Sequence, residues 1–233
     1  MKQLETALIV GAGSGLSASL ARLFAKDAMR VAMAARDTSK LASLVKETSA
    51  LPIACDAADT AQVEAMFAAV EAKWGVPDLV VYNAGYRVRG PFVGLDPKEV
   101  ERTIRVTAYA GFLVAQAAAK RMLPRGSGAV FFTGASASVK GYAESAPFAM
   151  GKFALRGLAQ SMARELAPKG VHVAHFVIDG GISKSASDPR AHERGADGML
   201  LPDEIAKNYL HVFRQHRSAW TWEVELRPWV ERF

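Results

Sequence analysis

With 233 residues, half of them hydrophobic, the chain is long enough to bury one sizeable core and short enough for a single α/β unit. Its 29 Lys and Arg outnumber its 23 Asp and Glu, but cations sit among acids, as in Glu101-Arg102 and Glu231-Arg232, and form no stripe. That spread argues against a dedicated nucleic-acid surface and suits an anionic small molecule or no anionic partner at all. The lone cysteine, Cys55, excludes an intramolecular disulfide and reads as a small buried residue at a strand end. An acid precedes any apolar run at the N-terminus and no apolar stretch approaches bilayer length, so the expected setting is cytoplasmic, with no membrane partner.

Ala7 to Val10 is a short buried strand, and Leu16, Leu20, Leu23 and Phe24 recur at helical spacing. Between them lies a tight turn, Gly11-Ala12-Gly13-Ser14-Gly15-Leu16-Ser17. Glycines there allow positive φ and close approach, and the free N–H groups of the helix start attract a pyrophosphate. Gly11, Gly13, Ser14, Gly15 and Leu16 are therefore candidate dinucleotide contacts, although Leu16 stands where G-x-G-x-x-G has its last glycine. A second strand, Val31 to Ala35, ends in Arg36-Asp37. Arg36 in place of an acid favours NADP(H), with NAD(H) possible; a solvated strand-end cation is the plainer alternative. The third strand, Pro52 to Asp56, ends in a carboxylate suited to an adenine amino group or to capping the helix that opens near Thr60.

Val63, Phe67 and Val70 share a helix face, and Leu79 to Tyr82 is a fourth strand ending in Asn83-Ala84-Gly85. Asp96-Pro97-Lys98-Glu99 opens the next helix, with Asp as N-cap and Pro in the first turn. It runs to about Leu123. Ala129 to Phe132 is strand five, followed by Thr133-Gly134-Ala135-Ser136-Ala137-Ser138, and a long helix spans Ser145 to Ala167. Val171 to Ile178 is strand six. The stretch 183–201 is polar and aperiodic, and beside the expected ligand edge it reads as a lid-like insertion. Pro202 opens a helix and Trp222 to Leu226 alternates like a last strand. Trp220, Trp222, Trp229 and Phe233 are expected to pack on a second subunit. Strands alternating with amphipathic helices predict one domain, 1–233, with a parallel sheet covered on both faces.

As a set these residues resemble the short-chain dehydrogenase/reductase family over nearly the whole chain. The resemblance implies a Rossmann-type doubly wound sheet of about seven strands, NAD(P)(H) binding, and a homodimer or homotetramer built on two long helices. Gly11, Gly15 and Ser17 occupy the family's phosphate turn, with the last glycine altered. Asp56 fits its adenine contact, Asn83, Ala84 and Gly85 its strand-four motif, and Gly180 and Ile182 its strand-six turn, where Asp179 replaces the usual Pro and Lys184 a Thr. The family's catalytic Asn, Ser and Tyr-x-x-x-Lys fall on Thr107, Ser136 (or Ser138), Phe148 and Lys152. Lys152 keeps its place on the helix face that reaches the nicotinamide ribose. Phe148 has no proton to give. Tyr86, Tyr142, Ser136 or water are the remaining donors.

The sequence Gly134-Ala135-Ser136-Ala137-Ser138 approaches a nucleophile elbow but lacks its final glycine and a downstream acid and base. His172 and His175 point to opposite faces of one strand and His192, His211 and His216 form no cluster, so no metal is expected. The favoured reading is an atypical NADP(H)-dependent oxidoreductase acting on a carbonyl/alcohol pair of a small molecule. The alternative is an NADP(H)-binding protein without turnover, a sensor or interaction subunit.

Overall fold

The computed structural model describes residues 4–184, 188–195 and 197–231. In chain order, β1 (Thr6–Val10) leads into α1 (Leu16–Lys26), β2 (Arg30–Ala35), α2 (Ala42–Thr48), β3 (Leu51–Ala54), α3 (Thr60–Trp74) and β4 (Leu79–Tyr82). Next come α4 (Pro97–Ile104), a π turn (Arg105–Tyr109), α5 (Ala110–Met122) and β5 (Gly128–Thr133). The remainder is α6 (Ala146–Leu166), β6 (Val171–Ile178), β7 (Gly181–Ile182), α7 (Arg190–Arg194), β8 (Met199–Leu200), α8 (Pro202–Phe213) and β9 (Glu223–Leu226).

Seven strands pair in parallel in the order β3-β2-β1-β4-β5-β6-β9. The order in which the chain adds strands reverses between β1 and β4, and the loops leaving their carboxyl ends part there to open a crevice. Both faces are covered, which is why the strands read as unbroken apolar runs. Leu8, Val10, Val80, Tyr82 and Phe132 pack against Phe67 of α3, Val114 of α5 and Leu155 of α6. Ala7, Ile9, Met33, Val81 and Phe131 pack against Leu20 and Phe24 of α1 and Tyr209 of α8. This is the doubly wound Rossmann-type sheet that the alternating pattern predicts.

Three expectations are corrected. β3 ends at Ala54, and the cap of α3 is Asp59, whose carboxylate accepts from Gln62 N–H at 3.1 Å; Asp56 Oδ1 instead accepts from Ala58 N–H at 2.9 Å. The stretch 183–201 is not a bare loop. β7 pairs with β8, and the buried Asp188 carboxylate accepts from Lys184 N–H and from the Arg190 guanidinium, so one buried acid organises a segment that has no apolar period. Ser185 to Ser187 and Ala196 lie outside the described residues. In the tail, β9 adds beside β6, which turns Trp220 onto His172 in a stack 4.6 Å apart and puts Trp222 beneath Arg156. Those two rings are internal contacts, Trp229 is 82% exposed, and Phe233 lies outside the described residues. Among the described residues no helix is long and apolar enough to cross a membrane.

Candidate active site

The glycine turn is shaped by two different demands. Gly11 has φ +84°, and a Cβ on it would lie 2.4 Å from the Ala84 amide nitrogen, so protein packing alone requires glycine there. Its N–H and that of Ala12 both donate to the Ala34 carbonyl, at 3.0 and 2.9 Å. Ser17 supplies the tie in place of the altered glycine: its hydroxyl donates to the Gly11 carbonyl at 3.1 Å and accepts from Asn83 Nδ2 at 2.7 Å. Gly13 and Gly15 differ, because a Cβ on either would meet nothing within 4 Å. What their missing side chains preserve is open space. The N-cap of α1 is Gly15, with no side-chain cap and no acid in the first turn. Orphan N–H groups and the positive end of the helix dipole therefore face that space, next to the exposed Ser14 and the buried Leu16, an arrangement that fits a phosphate.

From this turn a cavity of about 320 Å³ extends past Arg36, Lys40, Cys55 and Asp56 to Asn83, Ala84 and Gly85. Asp37 is occupied by the Ser39 hydroxyl and N–H, which hold its pKa below the usual range, and by Lys40 at 3.5 Å. Arg36 is exposed and has no ion-pair or hydrogen-bond partner among the described residues. Burial pushes the Cys55 thiol up to about 11, which keeps it inert.

Beyond Gly85 the cleft meets α6. A Cβ on Gly85 would lie 3.8 Å from Lys152 Nζ, which is buried and donates to the Thr133 carbonyl at 2.6 Å. Burial without a counter-ion draws the Lys152 pKa down to about 8. Phe148, one turn earlier and half-buried, places its ring centroid 5.8 Å from Lys152 Nζ. Thr107 sits in the π turn, where the widened helix brings its Oγ1 within 3.3 Å of the Tyr86 N–H that donates to it. Ser136 is half-exposed in a turn packed against α6, and its hydroxyl has no partner among the described residues. Ser138 is buried, and its hydroxyl accepts from Ala135 N–H at 3.1 Å, so Ser136 is the available one.

The strand-six turn is more occupied than its motif suggests. A Cβ on Gly180 would lie 2.8 Å from Pro228, and the Ile182 carbonyl accepts from Arg190 at 2.7 Å. Asp179 is buried between Lys140, at 3.1 Å, and Arg227. Tyr86 is no free acid: its hydroxyl donates to Glu99 at 2.6 Å, which raises its pKa. Tyr142 is 44% exposed.

Sequence reasoning missed two groups. Arg87 lies with its Cζ 5.0 Å over the Phe148 ring. Beneath the turn at Gly134 is His175, whose Nδ1 lies 3.1 Å from Glu223 while Arg156 forks the same carboxylate at 2.6 and 2.8 Å. His175 Nε2 has no hydrogen-bond partner, and burial pushes its pKa down to about 4 against the opposing pull of Glu223. Neither group has a spacing signal, because each forms across positions far apart in the chain.

A doubly wound parallel sheet with an uncapped glycine turn at the carboxyl end of its first strand defines a Rossmann-type α/β protein. Residues 5–192 match the short chain dehydrogenase family, and the chain belongs to it. It is 31% identical to (+)-borneol dehydrogenase 1 of Salvia officinalis, over 93% of this chain and 90% of that protein. The chain spans 46% to 67% of the length of three other curated dehydrogenases that it matches. The crystal structure of a short-chain dehydrogenase from Rhodopseudomonas palustris superposes with a TM-score of 0.82 at 33% identity, covering 96% of this chain and 99% of that one. A metagenomic short-chain oxidoreductase in complex with NADP superposes with a TM-score of 0.82 at 27% identity, covering 96% of this chain and 97% of the other.

Proposed function

We propose that the chain is an NADP(H)-dependent oxidoreductase acting on a carbonyl/alcohol pair of a small molecule. The observation that carries this reading is the uncapped glycine turn opening onto a cavity that runs from unpaired Arg36 to Gly85, with the ammonium of buried Lys152 3.8 Å from where a Gly85 Cβ would lie. N–H groups of Gly13, Ser14, Gly15 and Leu16 hold the pyrophosphate. Arg36 takes the 2′-phosphate, Asp56 the adenine amino group, and Lys152 the nicotinamide ribose, with Asn83, Ala84, Gly85, Gly180 and Ile182 shaping the nicotinamide end. When bound, the reduced cofactor supplies a hydride for the carbonyl carbon. Ser136 Oγ donates a hydrogen bond to the carbonyl oxygen, and the proton comes from that hydroxyl or from water, since Phe148 has none. Thr107 orders the Tyr86 backbone beside Lys152.

The residues form one domain, with the segment from Ser183 to Leu201 closing over the nicotinamide end as a lid. A homodimer or homotetramer follows from the exposed Tyr109, Phe112, Met150 and Phe153 on α5, α6 and the turn before them. Phe148 favours a second reading, a cofactor-binding protein without turnover.

Fluorescence titration tests the first. NADPH should bind about tenfold or more tightly than NADH, and Arg36→Ala should erase that difference, since a charge-assisted contact contributes about 1.5–3 kcal/mol. Equal affinities in the natural chain overturn the NADP(H) assignment. NADPH binding without oxidation across a broad panel of aldehydes and ketones selects the second reading.

A further inference from the structure

A cation with no anion stands over Phe148. Arg87 Cζ lies 5.0 Å and Lys152 Nζ 5.8 Å from the same ring centroid, and among the described residues neither forms an ion pair. The loop that carries Arg87 is fixed on both sides. Tyr86 donates its N–H to Thr107 and its hydroxyl to Glu99, while Gly90 N–H donates to the Glu144 carbonyl at 3.1 Å, with Glu144 in the left-handed region at φ +56°. Glu99 is already engaged with Tyr86 and Arg102, and Asp179 with Lys140 and Arg227, while the exposed Glu144 forms no ion pair with Arg87 among the described residues. Arg87 is exposed, and what desolvation it has, together with neighbouring Arg89, lowers its pKa. An exposed guanidinium lying over an aromatic face, beside a like charge and with no ion pair of its own, keeps its donors available to an incoming anion.

We infer that the carbonyl substrate carries a carboxylate, and that Arg87 binds it as a bidentate pair above the Phe148 ring. This rests on the reading given under Proposed function. A guanidinium stacked on an aromatic face keeps its N–H edges free, and its planar fork matches a carboxylate. The anions of the cofactor belong elsewhere in that reading, the pyrophosphate at the glycine turn and the 2′-phosphate at Arg36. A ring without a hydroxyl at Phe148 is then a stacking platform as well as a missing acid.

The full chain saturated with NADP⁺ is titrated calorimetrically with aliphatic and aromatic 2-oxo and 3-oxo acids, each paired with its methyl ester. The best acid should bind about tenfold or more tightly than its ester, Arg87→Met should abolish the preference, and Arg87→Lys should restore part of it. NADPH affinity should stay within about twofold in both variants. Acids and esters that bind alike throughout the panel, or a preference that survives Arg87→Met, overturn the inference and leave the cofactor reading standing. Loss of NADPH affinity in Arg87→Met overturns it too, by assigning the guanidinium to the cofactor. Failure of the natural chain to bind NADPH, read before any acid is added, overturns both.

Discussion

At the glycine turn the protein presents backbone to its ligand, whereas around Phe148 it presents charged side chains. The first end is defined by a positive φ, uncapped N–H groups and two absent Cβ atoms. The second is defined by Lys152 and Arg87 on one aromatic ring, with a free hydroxyl at Ser136 among the described residues. The difference determines what a substitution does. A backbone site absorbs a changed side chain if the turn stays tied, as Ser17 shows by bonding Gly11 and Asn83. A side-chain site keeps its shape while its chemistry changes with one residue, as Phe148 shows by leaving Lys152 in place without a phenol to activate.

The sharpest way to break this contrast is a pair of valines at the backbone end. Gly11→Val combines φ +84° with a contact of 2.4 Å from backbone, so it should cost several kcal/mol and abolish NADPH binding together. At Gly13 a Cβ meets no protein atom within 4 Å, so Gly13→Val should leave thermal unfolding within about 2 °C while NADPH affinity falls about tenfold or more. A Gly13→Val chain that binds NADPH normally would show that the open space is not a phosphate site.

The second prediction concerns what underlies the Phe148 end. His175 is buried neutral beneath Gly134, with a pKa of about 4 against an ordinary value of 6.5. The unfolded chain binds this proton first as pH falls, so stability is full above about pH 6.5 and declines through the window down to about pH 4. The depression corresponds to about 3 kcal/mol over that window. His172, whose pKa burial also lowers, acts in the same direction. Urea unfolding at stepped pH should show the decline, and His175→Gln should flatten it. A profile level from neutral pH to about pH 4.5 would refute the buried neutral state.

Legibility in the sequence follows the same division. Strand and helix runs, the glycine turn and Lys152 were readable because each is a local pattern, whether a period, a positive-φ residue or a four-residue spacing. The Asp96 cap was readable for that reason, and it accepts from Lys98 N–H at 2.9 Å. What escaped is made by meetings across the chain: Tyr86 with Glu99, Arg87 over Phe148, His175 with Glu223 and Arg156. Asp56 and Asp59 are equivalent as letters near a helix start, and only the path of the chain after Ala54 chooses between them. The π turn at Thr107 is likewise invisible in a run that reads as one helix from Pro97 to Leu123.

Phe148→Tyr asks the most of the side-chain end for the smallest change in structure. The ring is half-buried, and its centroid lies 5.8 Å from an ammonium that burial already holds at about 8. A phenol placed there gains a neighbouring positive charge, which favours the phenolate and brings the hydroxyl pKa toward neutrality. General acid catalysis by such a group contributes about a hundredfold to ten-thousandfold. The expected gain is at the low end, about a hundredfold in kcat, because Arg87 on the same ring competes for the space a substrate oxygen needs. NADPH oxidation with the acid and ester panel should therefore rise while NADPH affinity stays level. No gain with any carbonyl compound, in a variant that folds and binds NADPH, would remove Phe148 from the reacting end of the cleft and leave Lys152 without the partner its spacing implies.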